Sequence, residues 1–484
     1  MNLSCSRTFT ATALTLWLSG CMVGPNYQRP QVAVPKQYKE LAGWTQAAPA
    51  AAAPKGAWWT AFHDALLDRL EPMVAVSNQT VREDYANYQE ALAEVRVARS
   101  ALFPSLGLTG TATKQRGNGI GAGNGSLRSS TPVTAGSLEG EASWAPDLWG
   151  KVRRTVQENK ANAQASAATL ANATLAEQTA LASAVMELRV SDADTALLRQ
   201  TVKAYERYLR VVANQGNAGI TPPSDVLSAR TQLENAEASL IALGVARAQY
   251  AHAIAVLIGK NPESLDIPFS NMMPTLPQIP VGVPSTLLQR RPDIAVAERE
   301  MAAANAAIGV AVAAYYPTIS LSASDGFSQS PLADLLQVAN HVWSLGADLG
   351  ATLFEGGQRH AQVAAARAGY DAAVANYRGT VLTAFQNVED DLSGLRILAQ
   401  QSVVLDAAVH NATRAAQIAL NEYQAGTVDY TTAASARATQ YSAQQSALSV
   451  QQQRLLAAVS LIGDLGGGWS ADEMDNRPAL SGRH

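Results

Sequence analysis

Residues 315–324 read YYPTISLSAS, and residues 102–108, LFPSLGL, carry a similar pattern around a proline. After Pro317, Ile319, Leu321 and Ala323 alternate with Ser320, Ser322 and Ser324; after Pro104, Leu106, Leu108 and Ala112 alternate with Thr109, Thr111 and Thr113. A period of two predicts strands with one apolar and one polar face. Each run has a second one downstream. Leu138, Ala142 and Trp144 alternate with Glu139, Glu141 and Ser143, and Trp343, Leu345, Ala347, Leu349, Ala351 and Leu353 alternate with Ser344, Asp348 and Thr352. Two hairpins follow from this, each with a polar or acidic face. A strand half-buried in a soluble sandwich has the same period, so alternation alone leaves both environments open.

Outward from the hairpins the chain matches itself at nearly constant separation. Gly150 in DLWGK answers Gly356 in LFEGG, Arg230 in AGITPPSDVLSAR answers Arg437 in AGTVDYTTAASAR, and Gly259 in VLIGK answers Gly463 in SLIGD. The separation shrinks between the Pro104 and Gly150 landmarks, where the first copy carries the Gly/Ser-rich segment RGNGIGAGNGSLRSSTPVTAG and length changes cost little. The chain thus reads as two copies of one unit. Pro262, Pro268, Pro274, Pro277, Pro280 and Pro284 join them in a linker unsuited to helix or central strand.

Residues 151–213 and 358–423 contain no proline and no turn cluster. At 1.5 Å per residue each predicts a helix of roughly 95–100 Å, far beyond the usual length of about 10–14 residues. In the second, Tyr370, Val374, Tyr377, Val381, Phe385, Val388, Leu392 and Leu395 recur at threes and fours, as coiled packing demands. Each long helix ends in a Gly-containing turn, NQGNAGITPPSD or YQAGTVDY, from which a second helix returns.

At the N-terminus, Arg7 precedes an apolar run, residues 9–18, too short to span a bilayer, which predicts a secretory signal. Leu18-Ser19-Gly20-Cys21 has the form of a lipobox, in which the cysteine thiol receives a diacylglycerol and the new amino group is acylated. With Cys5 in the signal and Cys21 lipidated, the mature chain holds no thiol and no disulfide. Several acyl chains on one residue predict stable anchoring in lipid, and Met22 after the cysteine favours the outer membrane.

A net charge of −4 with 16% charged residues offers no basic surplus for nucleic acid. No apolar run beyond the signal approaches the roughly 20 residues of a membrane helix, so any crossing is made by strands. Four strands do not close a barrel, since about eight is the minimum, and a membrane role therefore requires oligomerisation. Of the six histidines only His410 stands four residues from another possible ligand, Asp406, and one such pair gives a metal site no support. GNGIGAGNG lacks the spacing of a phosphate-binding loop and lies between strands. No catalytic constellation emerges, and no cofactor is expected beyond the lipid on Cys21.

The ordered set LLQRRPDIAVAEREMAAANAAIGVAVAAYYPTISL, LFEGGQRHAQV and EYQAGTVDYTTAASA, with SWAPDLWGKVRR in the first copy and SGC at the front, resembles the TolC-like outer membrane factors of the lipoprotein branch. The resemblance implies a mainly α chain with membrane β structure. Each of its two repeats is a β-hairpin plus a long helical hairpin, and three copies form a twelve-stranded barrel continued by a periplasmic α-barrel. It implies a homotrimer that meets a periplasmic adaptor and an inner-membrane RND-type transporter, and that conducts small toxic compounds passively. A conduit for protein secretion and an anchored coiled-coil scaffold are the alternatives.

The corresponding division is a signal over residues 1–20, a lipidated extended segment over 21–60, repeats over 61–261 and 291–465, the linker over 262–290 and a tail over 466–484. By the same resemblance, Gly219 and Ile220 with Gly426, Thr427 and Val428 form the tip that meets the adaptor. Asp225 and Tyr423 match a latch, but its arginine position is Val428, and Thr432 and Ser435 stand where two lumenal aspartates are known; Asp429 is then a candidate gate contact. Asp225 also suits the first turn of a helix after Pro222 and Pro223. Glu139, Glu141 and Asp348 on the polar strand faces predict an acidic lumen with modest cation preference.

Overall fold

A computed structural model describes residues 22–35, 37–40, 57–115, 132–279, 284 and 287–471. The signal, the lipidation position Cys21, the Gly/Ser-rich segment and the tail beyond residue 471 lie outside them. Helices α1 (Ala65–Ser77) and α2 (Gln79–Ser100) lead to strands β1 (Ser105–Gln115) and β2 (Val133–Trp144), then to α3 (Lys151–Asn217) and α4 (Pro223–Leu257). A short α5 (Leu287–Arg290) and α6 (Pro292–Ala313) precede β3 (Thr318–Gln329), β4 (His341–Gly350), α7 (Gln358–Gln424) and α8 (Tyr430–Asp464). Both long helices have 67 residues and both returning helices 35. Against the expectation that no stretch beyond the signal suits a membrane helix, α4 is long and apolar enough to cross a bilayer by length and composition alone.

The chain divides into two compact units. The first comprises Met1–Pro30, Gln89–Ala163 and Glu298–Ala375. Its centre is one antiparallel sheet in the order β1-β2-β3-β4, so the two hairpins are joined by pairing of β2 with β3. Strand β4 stops at Gly350, short of the run to Leu353 that alternation predicts. Its partner Thr318 follows Pro317, which has no N–H to extend the ladder. In the first turn of α3, Arg154 is buried and holds the N-terminal segment: its guanidinium donates to the carbonyls of Val23 and Gly24 at 3.0 Å and to Asn26 Oδ1 at 3.1 Å. Gly309 makes room for it, since a Cβ there would lie 2.7 Å from the Arg154 side chain.

The second unit comprises Gln31–Tyr88, Gln164–Ala297 and Asn376–His484. On α7 the seam residues Tyr377, Val381, Phe385, Val388, Leu392 and Leu395 are all buried, so packing along one stripe sustains a helix no propensity alone would. Charged pairs tie the elements together. Asp64 caps α1 by accepting from the N–H groups of Leu66 and Leu67, and pairs with Arg189 of α3 at 2.7 Å. These donors hold its carboxyl below the usual range despite burial. Asp192 joins Arg247 of α4 at 2.7 Å and accepts from the backbone N–H of Ser270 in the linker. Arg291 bridges Asp293 and Asp464.

The turns after the four helices of the hairpins share one geometry. Gly219, Gly259, Gly426 and Gly466 have φ of +74°, +69°, +74° and +95°, a region only glycine enters without strain. Each turn carries the paired reversed hydrogen bonds of a Schellman motif, such as Ile220 N–H to the Gln215 carbonyl and Thr427 N–H to the Glu422 carbonyl. This geometry aligns Gly259 with Gly466. The sequence match with Gly463 is displaced, because Gly463 is inside α8.

Candidate channel wall and helix-end turns

Strand register assigns every residue of the sheet to a face. Glu141 pairs with Gly107 and Ser324, Ser324 with Ser344, Glu139 with Thr109 and Gly326, and Asp348 with Ser320. Paired residues share a face, so Glu139, Glu141 and Asp348 stand together on a face otherwise made mainly of Ser, Thr and Gly. The opposite face carries Leu106, Leu108, Leu138, Trp144, Ile319, Leu321, Trp343, Leu345 and Leu349. It is open: Leu106 is 84% exposed, Leu345 77% and Leu349 71%. Trp144 ends β2, and Trp343 lies near the start of β4, at the other end of the sheet. The His341–Asp325 pair, Nε2 to Oδ1 at 2.8 Å, sits on the apolar face at that same far end.

At the ends of the long helices the two turns differ in how they start the next helix. Asp429 caps α8, its carboxylate accepting from Thr432 N–H at 2.9 Å and from the hydroxyls of Thr431 and Thr432. The Thr432 and Thr431 hydroxyl bonds depress its pKa. In the first turn the cap position is Pro222, with Pro223 as the first helical residue. Asp225 is the acidic residue in the first turn of α4, and Pro222 makes no side-chain cap bond. The charge of Asp225 lies near the positive end of the helix dipole, where a carboxylate is favoured.

Tyr423 donates its hydroxyl to Gln215 Oε1 at 2.7 Å, joining the last turns of α7 and α3. Its ring meets Tyr430 edge to face at 6.2 Å, and Tyr430 meets Tyr208 at 6.3 Å. Burial pushes the Tyr430 phenol up to about 12. Burial also raises that of Tyr423, with the Asp225 carboxylate adding to the effect. Val428 packs against this aromatic cluster. Gly219, Ile220, Gly426 and Thr427 are exposed, Ile220 at 73%, and Thr432 and Ser435 are exposed on the first turns of α8. Gln215 is the residue that sequence reasoning missed. It lies within the quoted turn NQGNAGITPPSD, but nothing local marks a glutamine whose partner is 208 positions away. Among the described residues no group of His, Cys, Asp and Glu is arranged to hold a metal ion.

The family model described as outer membrane efflux protein matches residues 72–260 and 283–467. The chain is 30% identical over 470 residues to the probable efflux pump outer membrane protein TtgC of Pseudomonas putida, covering 96% of each chain. It is 30% identical over 464 residues to outer membrane protein OprJ of Pseudomonas aeruginosa, covering 95% of each. Among solved structures it superposes on the outer-membrane channel OprN with a TM-score of 0.85 at 27% identity, covering 93% of this chain and 100% of that one. The open state of the Neisseria gonorrhoeae MtrE outer membrane channel gives a TM-score of 0.81 at 25% identity, covering 93% and 99%.

Proposed function

The chain belongs to the outer membrane efflux protein family, and on that premise we propose that three copies form the outer-membrane conduit of a tripartite pump. As the outer membrane channel component of an efflux system it is a passive path, and energy comes from the partner that loads it. The observation that carries the oligomeric part is the sheet: one face is apolar and open, and β1 and β4 each have one unpaired edge. Exposed strand edges and an apolar face are costly in water, and both are satisfied when sheets from several copies close into a barrel within lipid. Three such sheets supply twelve strands. Trp144 and Trp343 then sit at the two lipid–water interfaces, and Glu139, Glu141 and Asp348 line the bore.

In this reading Cys21 carries the lipid anchor, and the turns at Gly219-Ile220 and Gly426-Thr427-Val428 meet a periplasmic adaptor, which in turn holds an inner-membrane RND-type transporter. The cargo is small toxic compounds such as antibiotics or solvents, in keeping with relatives described as antibiotic and toluene efflux pump proteins. Tyr423 and Gln215 hold the helix ends together, with the Asp225 carboxylate near the Tyr423 phenol and Asp429 shaping the adjoining cap, in place of a latch arginine.

Planar-bilayer conductance of the purified full-length protein, with oligomer size determined in parallel, tests this. Discrete steps from a trimer support the conduit. Silence both in the native protein and in a Tyr423→Phe/Asp225→Asn variant, with the apolar strands open to protease in liposomes, overturns it and leaves an anchored scaffold.

A further inference from the structure

Between α3, α4 and α8, within the second unit, lies a cavity of about 430 Å³ whose walls include Glu187, Ser191, Asp194, Tyr250 and Gln445. Its volume is in the range of small-ligand sites. Ser191 is only 8% exposed, and its hydroxyl has no hydrogen-bond partner; nor does Oδ1 of Asp194, which is itself shielded from solvent. Buried polar atoms of this kind are rarely left unmatched in a native protein. Burial raises both the Glu187 and the Asp194 carboxyl, the latter offset in part by a hydrogen bond from the Gln445 side chain, and among the described residues the groups facing them bring no positive charge: Tyr250 from α4 lies near Glu187, and Gln445 and Tyr441 from α8 face Asp194. Two partly buried acids without a counter-ion among the described residues mark a place for cations.

Spacing selects the cation. Glu187 and Asp194 are two helical turns apart on α3, about 10 Å along the axis. One metal ion cannot draw ligands from both, because it needs its oxygens within about 2.0–2.6 Å. Between the two acids the wall carries Val190, with Leu243 and Ala246 opposite. That order of charge, apolar stretch and charge fits a chain of five or six methylene groups with an ammonium at each end. We propose that this cavity binds a linear aliphatic diamine, one ammonium on Glu187, the other on Asp194 and Ser191.

The test is calorimetric titration of the full-length protein in non-ionic detergent with 1,6-diaminohexane at fixed ionic strength. Expected is saturable binding of one equivalent per chain. Hexylammonium should bind at least tenfold more weakly and 1,6-hexanediol should give no saturable heat. Glu187→Gln and Asp194→Asn should each weaken diamine binding at least tenfold. Ala246→Leu, which narrows the cavity without touching a charge, should weaken it as well and keeps the test decisive where a charge variant fails to fold. No saturable diamine binding, equal binding of the diol, or affinity unchanged in folded variants overturns the proposal. Conductance is not the readout, so the outcome is independent of whether the conduit reading holds.

Discussion

The phenol of Tyr423 donates a 2.7 Å hydrogen bond to Oε1 of Gln215, so that the last turns of two 67-residue helices are tied side chain to side chain. The same amide oxygen also accepts from the Thr221 hydroxyl at 3.3 Å. Removing the phenol therefore leaves the acceptor partly satisfied. Tyr423→Phe keeps the ring against Tyr430 and is expected to cost about 1 kcal/mol locally. Hydrogen exchange at the 218–222 and 425–429 turns should rise about fivefold, and channel-open time should lengthen; unchanged exchange would show that the bond does not hold the ends.

The glycines of those turns are chosen for conformation. Apart from the adjoining residues of the chain, no atom lies within 4 Å of a Cβ built at Gly219 or Gly426, yet both have φ of +74°. Substitution by Val should cost about 1–2 kcal/mol from backbone strain alone, and Asn distinctly less because it tolerates the left-handed region. Equal melting shifts for Asn and Val at either position would refute strain as the cause.

Neighbouring residues of β4 should respond in opposite ways to the same charge. Leu345 is on the apolar face and Ser344 on the polar one. Leu345→Arg is expected to cost about 2–4 kcal/mol in lipid and block outer-membrane insertion, whereas Ser344→Arg should insert. Heat-resistant oligomer in membrane fractions measures both.

The acidic face offers a selectivity test. Glu139→Gln, Glu141→Gln and Asp348→Asn combined should lower the cation-over-anion permeability ratio about twofold or more, read from reversal potentials in a salt gradient. Unaltered selectivity would remove these residues from the bore.

Glu71 of α1 predicts a pH effect on stability. It is fully buried, neither carboxylate oxygen has a partner, and burial raises its pKa to about 9. A carboxyl raised in the folded state binds its proton more tightly there than when unfolded. Its stabilising contribution is complete below about pH 4 and is lost as pH climbs toward 9, at about 1.4 kcal/mol per pH unit. Glu71→Gln should flatten that slope in denaturant titrations between pH 5 and 8, and a wild-type curve already flat there would contradict the assignment.

Local pattern was enough for the elements. Alternation after Pro104 and Pro317 marked the strands and their faces, the proline-free tracts marked the long helices to within a few residues, and glycine marked the turns, because each of these depends on backbone conformation and on which side of one element is apolar. Joining the hairpins was a different matter. The pairing of β2 with β3, the Arg154 contacts with Val23 and Gly24, and the Gln215–Tyr423 bond all link residues over a hundred positions apart. A glutamine or an arginine has the same local signature whether it faces water or completes such a contact. The diamine cavity is the extreme case: Glu187 and Asp194 look like two surface acids on a helix, and their partial burial against α4 and α8 is not legible from α3 alone. Periodicity along one strand or helix is written in the chain itself, whereas desolvation and partner choice exist only once distant segments have packed together.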